Sequence, residues 1–269
     1  MRVAIAGKGG AGKTSIAATL ARLLARSGRS VVAVDADSNP NLGVALGLPT
    51  DRAREVASLP PGLVSRRLHG PALTEPVHTV LERFATPAPD GVRLFLMGGP
   101  AHADEGCLCS AHATISAVLA DLGEAADMST IVDMEASPEH LSRGTTRHVD
   151  LLLLVTEPYY RSLETVRRLA SLARELPIPR VAALANKVRS NADAEAVGEF
   201  CARHEVQLLG AIPWSEAVVA ADLRRVPVIE SAAHEMVEAV SRLADAVRDP
   251  VPPTAAGASP RSSSDPGLR

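Results

Sequence analysis

The chain has 269 residues, 46% of them hydrophobic and 22% charged, enough for one large α/β domain or two small ones. Lys and Arg number 28 against 31 Asp and Glu, a net charge of -3, which excludes an overall basic nucleic-acid binder. No run of 18 apolar residues marks a membrane span, no apolar stretch of signal-peptide length opens the chain, and three cysteines are too few for a disulfide framework. A reducing cytoplasm, no membrane and no nucleic-acid partner are therefore expected.

In chain order, short apolar β-branched runs alternate with longer amphipathic stretches. Strands are predicted at 2–6, 30–34, 92–97, 130–133, 150–155, 180–185 and 206–212. Helices are predicted at 13–27, 111–126, 160–175, 192–204 and 230–248. Near-continuous apolar strands alternating with helices predict an α/β fold: one mostly parallel sheet of seven or eight strands, covered by helices on both faces. Ligands of such sheets sit at the carboxyl ends of the strands. Two stretches break the alternation. Residues 48–89, rich in Pro, Arg and Gly, predict an excursion with some helix. Residues 250–269, rich in Pro, Ser and Gly, predict a disordered tail after a 1–249 domain.

The most specific signal follows the first strand. Gly7-Lys8-Gly9-Gly10-Ala11-Gly12-Lys13-Thr14 fits G-x-x-x-x-G-K-[ST] between a predicted strand and a predicted helix. Glycines let backbone N–H groups turn inward around phosphate oxygens, and the helix N-terminus adds partial positive charge. Lys13 is placed to pair with the β- and γ-phosphates and Thr14 to ligate Mg²⁺, with Ser15 completing the loop.

Two strand ends carry carboxylates. Asp35 and Asp37 close the second strand, and Asp133 closes an apolar run with Glu135 two residues on. Beside a phosphate loop, one such carboxylate can orient the attacking water while another holds a metal-bound water. Solvated loop acids or helix caps are the plainer alternative, especially for Glu135.

The segment KGGAGKT resembles the deviant phosphate loop of dimerising ATPases, the class of the nitrogenase iron protein and the septum-site and partition ATPases. That resemblance implies that Lys8 reaches the partner's phosphates, so that Lys8 and Lys13 serve catalysis in a homodimer. It also implies that Asp37 positions or deprotonates water, that Asp35 supports the metal shell, and that Asp133 contacts Mg²⁺ through water. It assigns Asn186, after the strand at 180–185, to the adenine edge and places Pro213 beside the base. No N-K-x-D pattern follows Asn186, so ATP is favoured over GTP.

Cys107 and Cys109 form a C-x-C, in itself a weak signal, and two small buried residues in a loop would explain it. Two thiolates are too few for a tetrahedral site, but a two-fold axis would supply four. From Met1 to about Asp249 the chain resembles the carbon monoxide dehydrogenase accessory (nickel-insertion) ATPase family. The match is carried by residues 7–14, Asp35 to Asp37 with Asn39, Asn41 and Leu42, the G-C-L-C block at 106–109, and D-M-E-A at 133–136 followed by Glu139-His140-Leu141 and Arg143-Gly144-Thr145. The resemblance implies ATP hydrolysis in a dimer coupled to delivery of nickel or zinc, held by Cys107 and Cys109, to a client such as carbon monoxide dehydrogenase. Ser137 and Ser142 stand where the resemblance leads one to expect glycine, and Ser38 and Ser110 where it leads one to expect proline. Two competing functions remain. A partition or septum-type dimerisation switch would carry no metal cargo. An iron–sulfur electron-transfer ATPase would hold its cluster with cysteines placed far apart. Cys201, in a predicted helix, reads as a buried structural thiol.

Overall fold

The computed structural model describes residues 1–67, 70–97, 109–123, 128–135 and 145–248. The central strand, β1 (Arg2–Gly7), pairs with a neighbour on each side. Its partners are β7 (Met128–Met134) and β8 (Leu151–Thr156), both parallel to it. On one flank β7 pairs with β2 (Ser30–Ala36), which pairs with β6 (Arg93–Leu96). On the other, β8 pairs with β9 (Arg180–Val188) and β9 with β10 (Gln207–Pro213). All these pairings are parallel; the two-residue edge strand β5 (Thr86–Pro87) runs antiparallel to β6. The predicted mostly parallel α/β sheet of seven or eight strands is therefore observed, with eight.

The two-residue period of each strand divides the core into two layers. Val3 and Ile5 of β1 face one layer, with Val31 and Ala33 of β2 and Leu153 of β8. That layer is closed by helices α1 (Lys13–Arg26) and, at the C-terminal end, His234–Arg248. Ala4, Ala6, Val32, Val34 and Leu154 face the other layer. It is closed by helices Cys109–Leu122, Tyr160–Ala173 and Asn191–Arg203. Cys201 lies in this second layer, and burial pushes its thiol pKa up, as suits an inert structural thiol.

In chain order the α-helices among the described residues are α1, α2 (Leu42–Leu46), α3 (Thr50–Arg54), α4 (Val77–Phe84), α5 (Cys109–Leu122), α6 (Tyr160–Ala173), α7 (Asn191–Arg203), α8 (Glu216–Leu223) and α9 (His234–Arg248). The excursion at 48–89 holds α3, α4 and a hairpin of β3 (Val64–Arg67) and β4 (Gly70–Leu73). It is less irregular than its composition suggests, because Leu63, Leu73, Val80 and Leu81 reach the core. The tail at 250–269 lies outside the described residues.

Candidate functional site

The phosphate loop joins β1 to α1 and takes its shape from three glycines with positive φ. Gly7 (φ 146°) lies against the Val155 carbonyl of β8, where a Cβ would collide with backbone. Gly10 (φ 81°) turns the middle of the loop. Gly12 (φ 95°) is the N-cap of α1, and a Cβ there would strike the Asn186 amide. With glycine as cap, no side chain occupies the first N–H groups of α1, and no acidic residue sits in its first turn. A helix start left in this state favours an anion. The loop is braced from β9. Asn186 donates from Nδ2 to the Ala11 carbonyl at 2.7 Å, and Lys187 donates from Nζ to the Gly10 carbonyl at 2.6 Å. Lys187 is held in turn by Glu157 at 3.2 Å.

The carboxylates converge because β2 and β7 are neighbours in register, with Asp35 opposite Asp133. Asp133 is 2% exposed. Burial raises its pKa from 3.8 to about 7; nearby Asp35 and Asp37 add to the rise, while a hydrogen bond from the Thr14 hydroxyl and the Lys13 charge oppose it. Its Oδ1 has no hydrogen-bond partner among the described residues. Lys13 is also buried, which lowers its pKa against the pull of Asp133, Asp37 and Glu135. A buried lysine among three carboxylates and an orphaned carboxylate oxygen form a polar cluster suited to a bound phosphate and divalent cation.

Asp35 has a further task. Its Oδ2 accepts the N–H groups of Asn41 (2.9 Å) and Leu42 (2.8 Å), and its Oδ1 accepts that of Asp37 (3.1 Å). These bonds fold the turn that leads from β2 into α2. Burial raises Asp35 to a pKa of about 6 despite them. A carboxylate has about four acceptor positions, so these three bonds leave one on Oδ1. Asp37 accepts the Asn39 N–H at 2.9 Å and lines the cavity. Ser38, where the sequence resemblance leads to an expectation of proline, donates from Oγ to Glu135 Oε2 at 3.2 Å. It thus ties the loop after β2 to the end of β7, a link that proline could not make.

These groups open into one cavity of about 590 Å³. Gly9, Gly10, Gly12, Lys13, Thr14 and Ser15 form its phosphate end, with Asp37, Asn39 and Glu135 on one side. Asn186, Lys187 and Pro213 lie beyond the loop, followed by Trp214, Val218, Val219 and Met236. Gly9, Gly10, Gly12, Lys13, Thr14, Ser15, Asp37, Asn186 and Pro213 are therefore brought to one place, with Asp133 behind Thr14, while Gly7, Lys8, Ala11 and Asp35 do not line the cavity. Lys8 projects from the loop to Tyr159, bonding its hydroxyl at 3.2 Å and lying 5.4 Å from its ring centroid. The β8–α6 turn that carries Tyr159 is fixed by Ser162, whose Oγ accepts from the Thr156 hydroxyl (3.1 Å) and the Glu157 N–H (2.9 Å).

Trp214, Lys187, Tyr159 and α8 were not singled out by sequence reasoning. A lone aromatic has no periodicity to mark it; the one available signal was its place directly after a strand-end proline. Cys107 lies outside the described residues, as do Ser137, Ser142 and the block at 136–144; Cys109 is the first residue of α5. No group of three or more His, Cys, Asp or Glu residues arranged to hold a metal ion occurs among the described residues.

The chain matches the family model of the CobQ/CobB/MinD/ParA nucleotide binding domain over residues 3–228. It is 38% identical over 232 residues to the carbon monoxide dehydrogenase accessory protein CooC of Rhodospirillum rubrum, covering 82% of this chain and 87% of that one. It is 33% identical over 252 residues to an uncharacterized ATP-binding protein of Methanocaldococcus jannaschii, covering 89% and 96%. The MinD cell division protein of Aquifex aeolicus shares the fold with a TM-score of 0.69 at 18% identity, over 94% of this chain and 99% of its own. The septum site-determining protein MinD of Pyrococcus horikoshii, complexed with Mg-ADP, does so with a TM-score of 0.63 at 20% identity, over 92% and 96%.

Proposed function

Because the chain belongs to the CobQ/CobB/MinD/ParA nucleotide-binding family, and within it to the carbon monoxide dehydrogenase accessory ATPases of the deviant phosphate-loop class, we propose that it is an ATP-hydrolysing metallochaperone. In this reading it works as a cytoplasmic homodimer and hands nickel to a metalloenzyme such as carbon monoxide dehydrogenase. The observation that carries the ATPase is the Thr14–Asp133 pair, with an unpartnered Asp133 Oδ1, behind a phosphate loop that presents a bare helix start.

The residues fit Mg²⁺: a hydroxyl and a buried carboxylate oxygen are hard donors placed beside the phosphate end of the cavity. Thr14 would hold the ion directly, with Asp133, and Asp35 through its remaining acceptor position, reaching it across water. When bound, the ion neutralises charge on the β- and γ-phosphates. Lys13 binds the same phosphates, and the loop N–H groups orient them. Asp37, on the open side of the cavity, orients the attacking water. The reaction is ATP and water to ADP and phosphate, and Lys8 of the partner protomer completes the charge on the transferred group.

Cys107 and Cys109 would give four thiolates in a dimer, a soft donor set that holds nickel or zinc and rejects magnesium. Closure on ATP and relaxation after hydrolysis would change how those thiolates hold the cargo. The competing reading, a partition-type dimerisation switch, uses the same nucleotide site and differs at the cysteine pair. No helix among the described residues is long and apolar enough to cross a membrane.

Hydrolysis of Mg·ATP measured against protein concentration tests the ATPase part. Turnover per chain that rises as monomers associate, and that vanishes in EDTA, is the expected result. Turnover per chain that is constant down to fully monomeric protein would refute the dimer-dependent site.

A further inference from the structure

The cavity has two chemically different ends. At one end are the phosphate loop and carboxylates; at the other, Trp214, Val218, Val219 and Met236 present apolar surface. A nucleotide anchored by its phosphates must lay a flat, uncharged base on some wall. Asn186, 5% exposed, has one amide N–H committed to the Ala11 carbonyl, so it braces the loop whatever else it touches.

Trp214 is the only tryptophan of the chain and the one aromatic residue among those described that line the cavity. Its position is fixed twice. Its backbone N–H donates to the Val188 carbonyl at 2.8 Å, which ties the ends of β10 and β9 together. Arg189 places its guanidinium 4.0 Å from the centroid of the indole ring. A cation on a tryptophan face is attracted by the ring quadrupole, so Arg189 restrains the ring before any ligand arrives.

We propose that Trp214 is the base-stacking residue of the nucleotide site and that Arg189 is its positioning residue. The proposal rests on the reading of this cavity as a nucleotide site. Stacking on an aromatic face is indifferent to which base is offered, so Trp214 supplies affinity for the nucleoside portion. Discrimination between bases falls to edge contacts such as the remaining amide valences of Asn186.

Binding of a non-hydrolysable ATP analogue with Mg²⁺, and of inorganic tripolyphosphate with Mg²⁺, separates the two ends of the site. In Trp214→Ala the analogue should bind roughly 5- to 100-fold more weakly while tripolyphosphate affinity stays unchanged. Trp214→Phe should recover most of the loss. Arg189→Ala should weaken the analogue less and change the intrinsic tryptophan fluorescence of the unliganded protein. In the wild type, the analogue should alter that fluorescence and tripolyphosphate should not. Unchanged analogue affinity in Trp214→Ala would overturn the proposal while leaving the nucleotide site intact. So would an equal loss of both ligands in Trp214→Ala and Trp214→Phe. A wild-type protein that binds neither ligand would overturn the nucleotide site itself and the proposal with it.

Discussion

Replacing Asn186 with Ala separates two tasks that the same side chain could perform, bracing the phosphate loop and reading the base. Asn186 donates to the Ala11 carbonyl at 2.7 Å, and Ala11 is wholly buried. Removing the amide leaves that carbonyl without its partner, a loss of about 1–3 kcal/mol for a buried backbone group. At roughly 2–4 °C per kcal/mol for a chain of this size, the ligand-free melting temperature should fall by about 2–12 °C. The loop would also lose its neighbour at Gly12 (φ 95°), where a Cβ would strike the same amide. Tripolyphosphate, which has no base, should therefore bind more weakly to Asn186→Ala. The assay is a thermal melt in EDTA followed by calorimetric titration with tripolyphosphate and Mg²⁺. Unchanged melting and unchanged tripolyphosphate affinity, with loss confined to ATP, would refute the bracing role and leave Asn186 as a reader of the base alone.

Two further predictions concern charge. Lys8→Ala should leave ATP binding largely intact and abolish hydrolysis, and mixing it with Lys13→Ala chains should restore part of the turnover; a loss of binding equal to the loss of turnover would contradict the role in trans. Asp133 and Asp35 have folded pKa values raised from 3.8 to about 7 and about 6. The metal-free folded state therefore holds more protons than the unfolded chain between about pH 4 and 7, and its stability should fall as pH rises through that window. Asp133→Asn should flatten this slope in EDTA while eliminating Mg²⁺-dependent hydrolysis. Denaturant titrations at stepped pH check the sign, and an unchanged slope would refute it.

The parts of the site that were legible in the sequence are those where chemistry dictates residue type at fixed spacing. The phosphate loop needs glycine at positive φ and lysine at the helix start, and Gly7, Gly10, Gly12 and Lys13 occupy those positions. Asp35 and Asp133 end apolar strands, and the register of β2 on β7 makes them neighbours, which spacing alone could not reveal because the two strand ends are far apart in sequence; Ser38 and its partner Glu135, just beyond them, are 97 positions apart. The main strands were readable because a doubly covered sheet demands continuous apolar runs. Their ends were less so: β7 extends to Met128–Met134 and β9 to Val188, past the charged and polar residues that suggested a stop.

Other elements were hidden by composition. The hairpin of β3 and β4 contains Gly70 and Pro71 next to arginines, which reads as loop. Helix α8 is short and starts three positions after the strand-end Pro213, so its apolar run at 217–221 shows no clear face. The start of α9 moves to His234 because Pro227 to Glu230 form a separate tight turn. Trp214 carries meaning only once β10 and β9 are seen to end together at the far end of the cavity.

The proposed function couples an ATPase dimer to a thiolate-bound cargo. Its most direct test is native mass spectrometry of reduced, anaerobically purified protein supplied with nickel or zinc, with Cys107→Ser/Cys109→Ser as the comparison. The expected result is a dimer that carries one metal ion per two chains, and a double variant that binds nucleotide but carries none. Protein that dimerises with ATP yet stays free of metal, or a double variant with undiminished metal content, would contradict it.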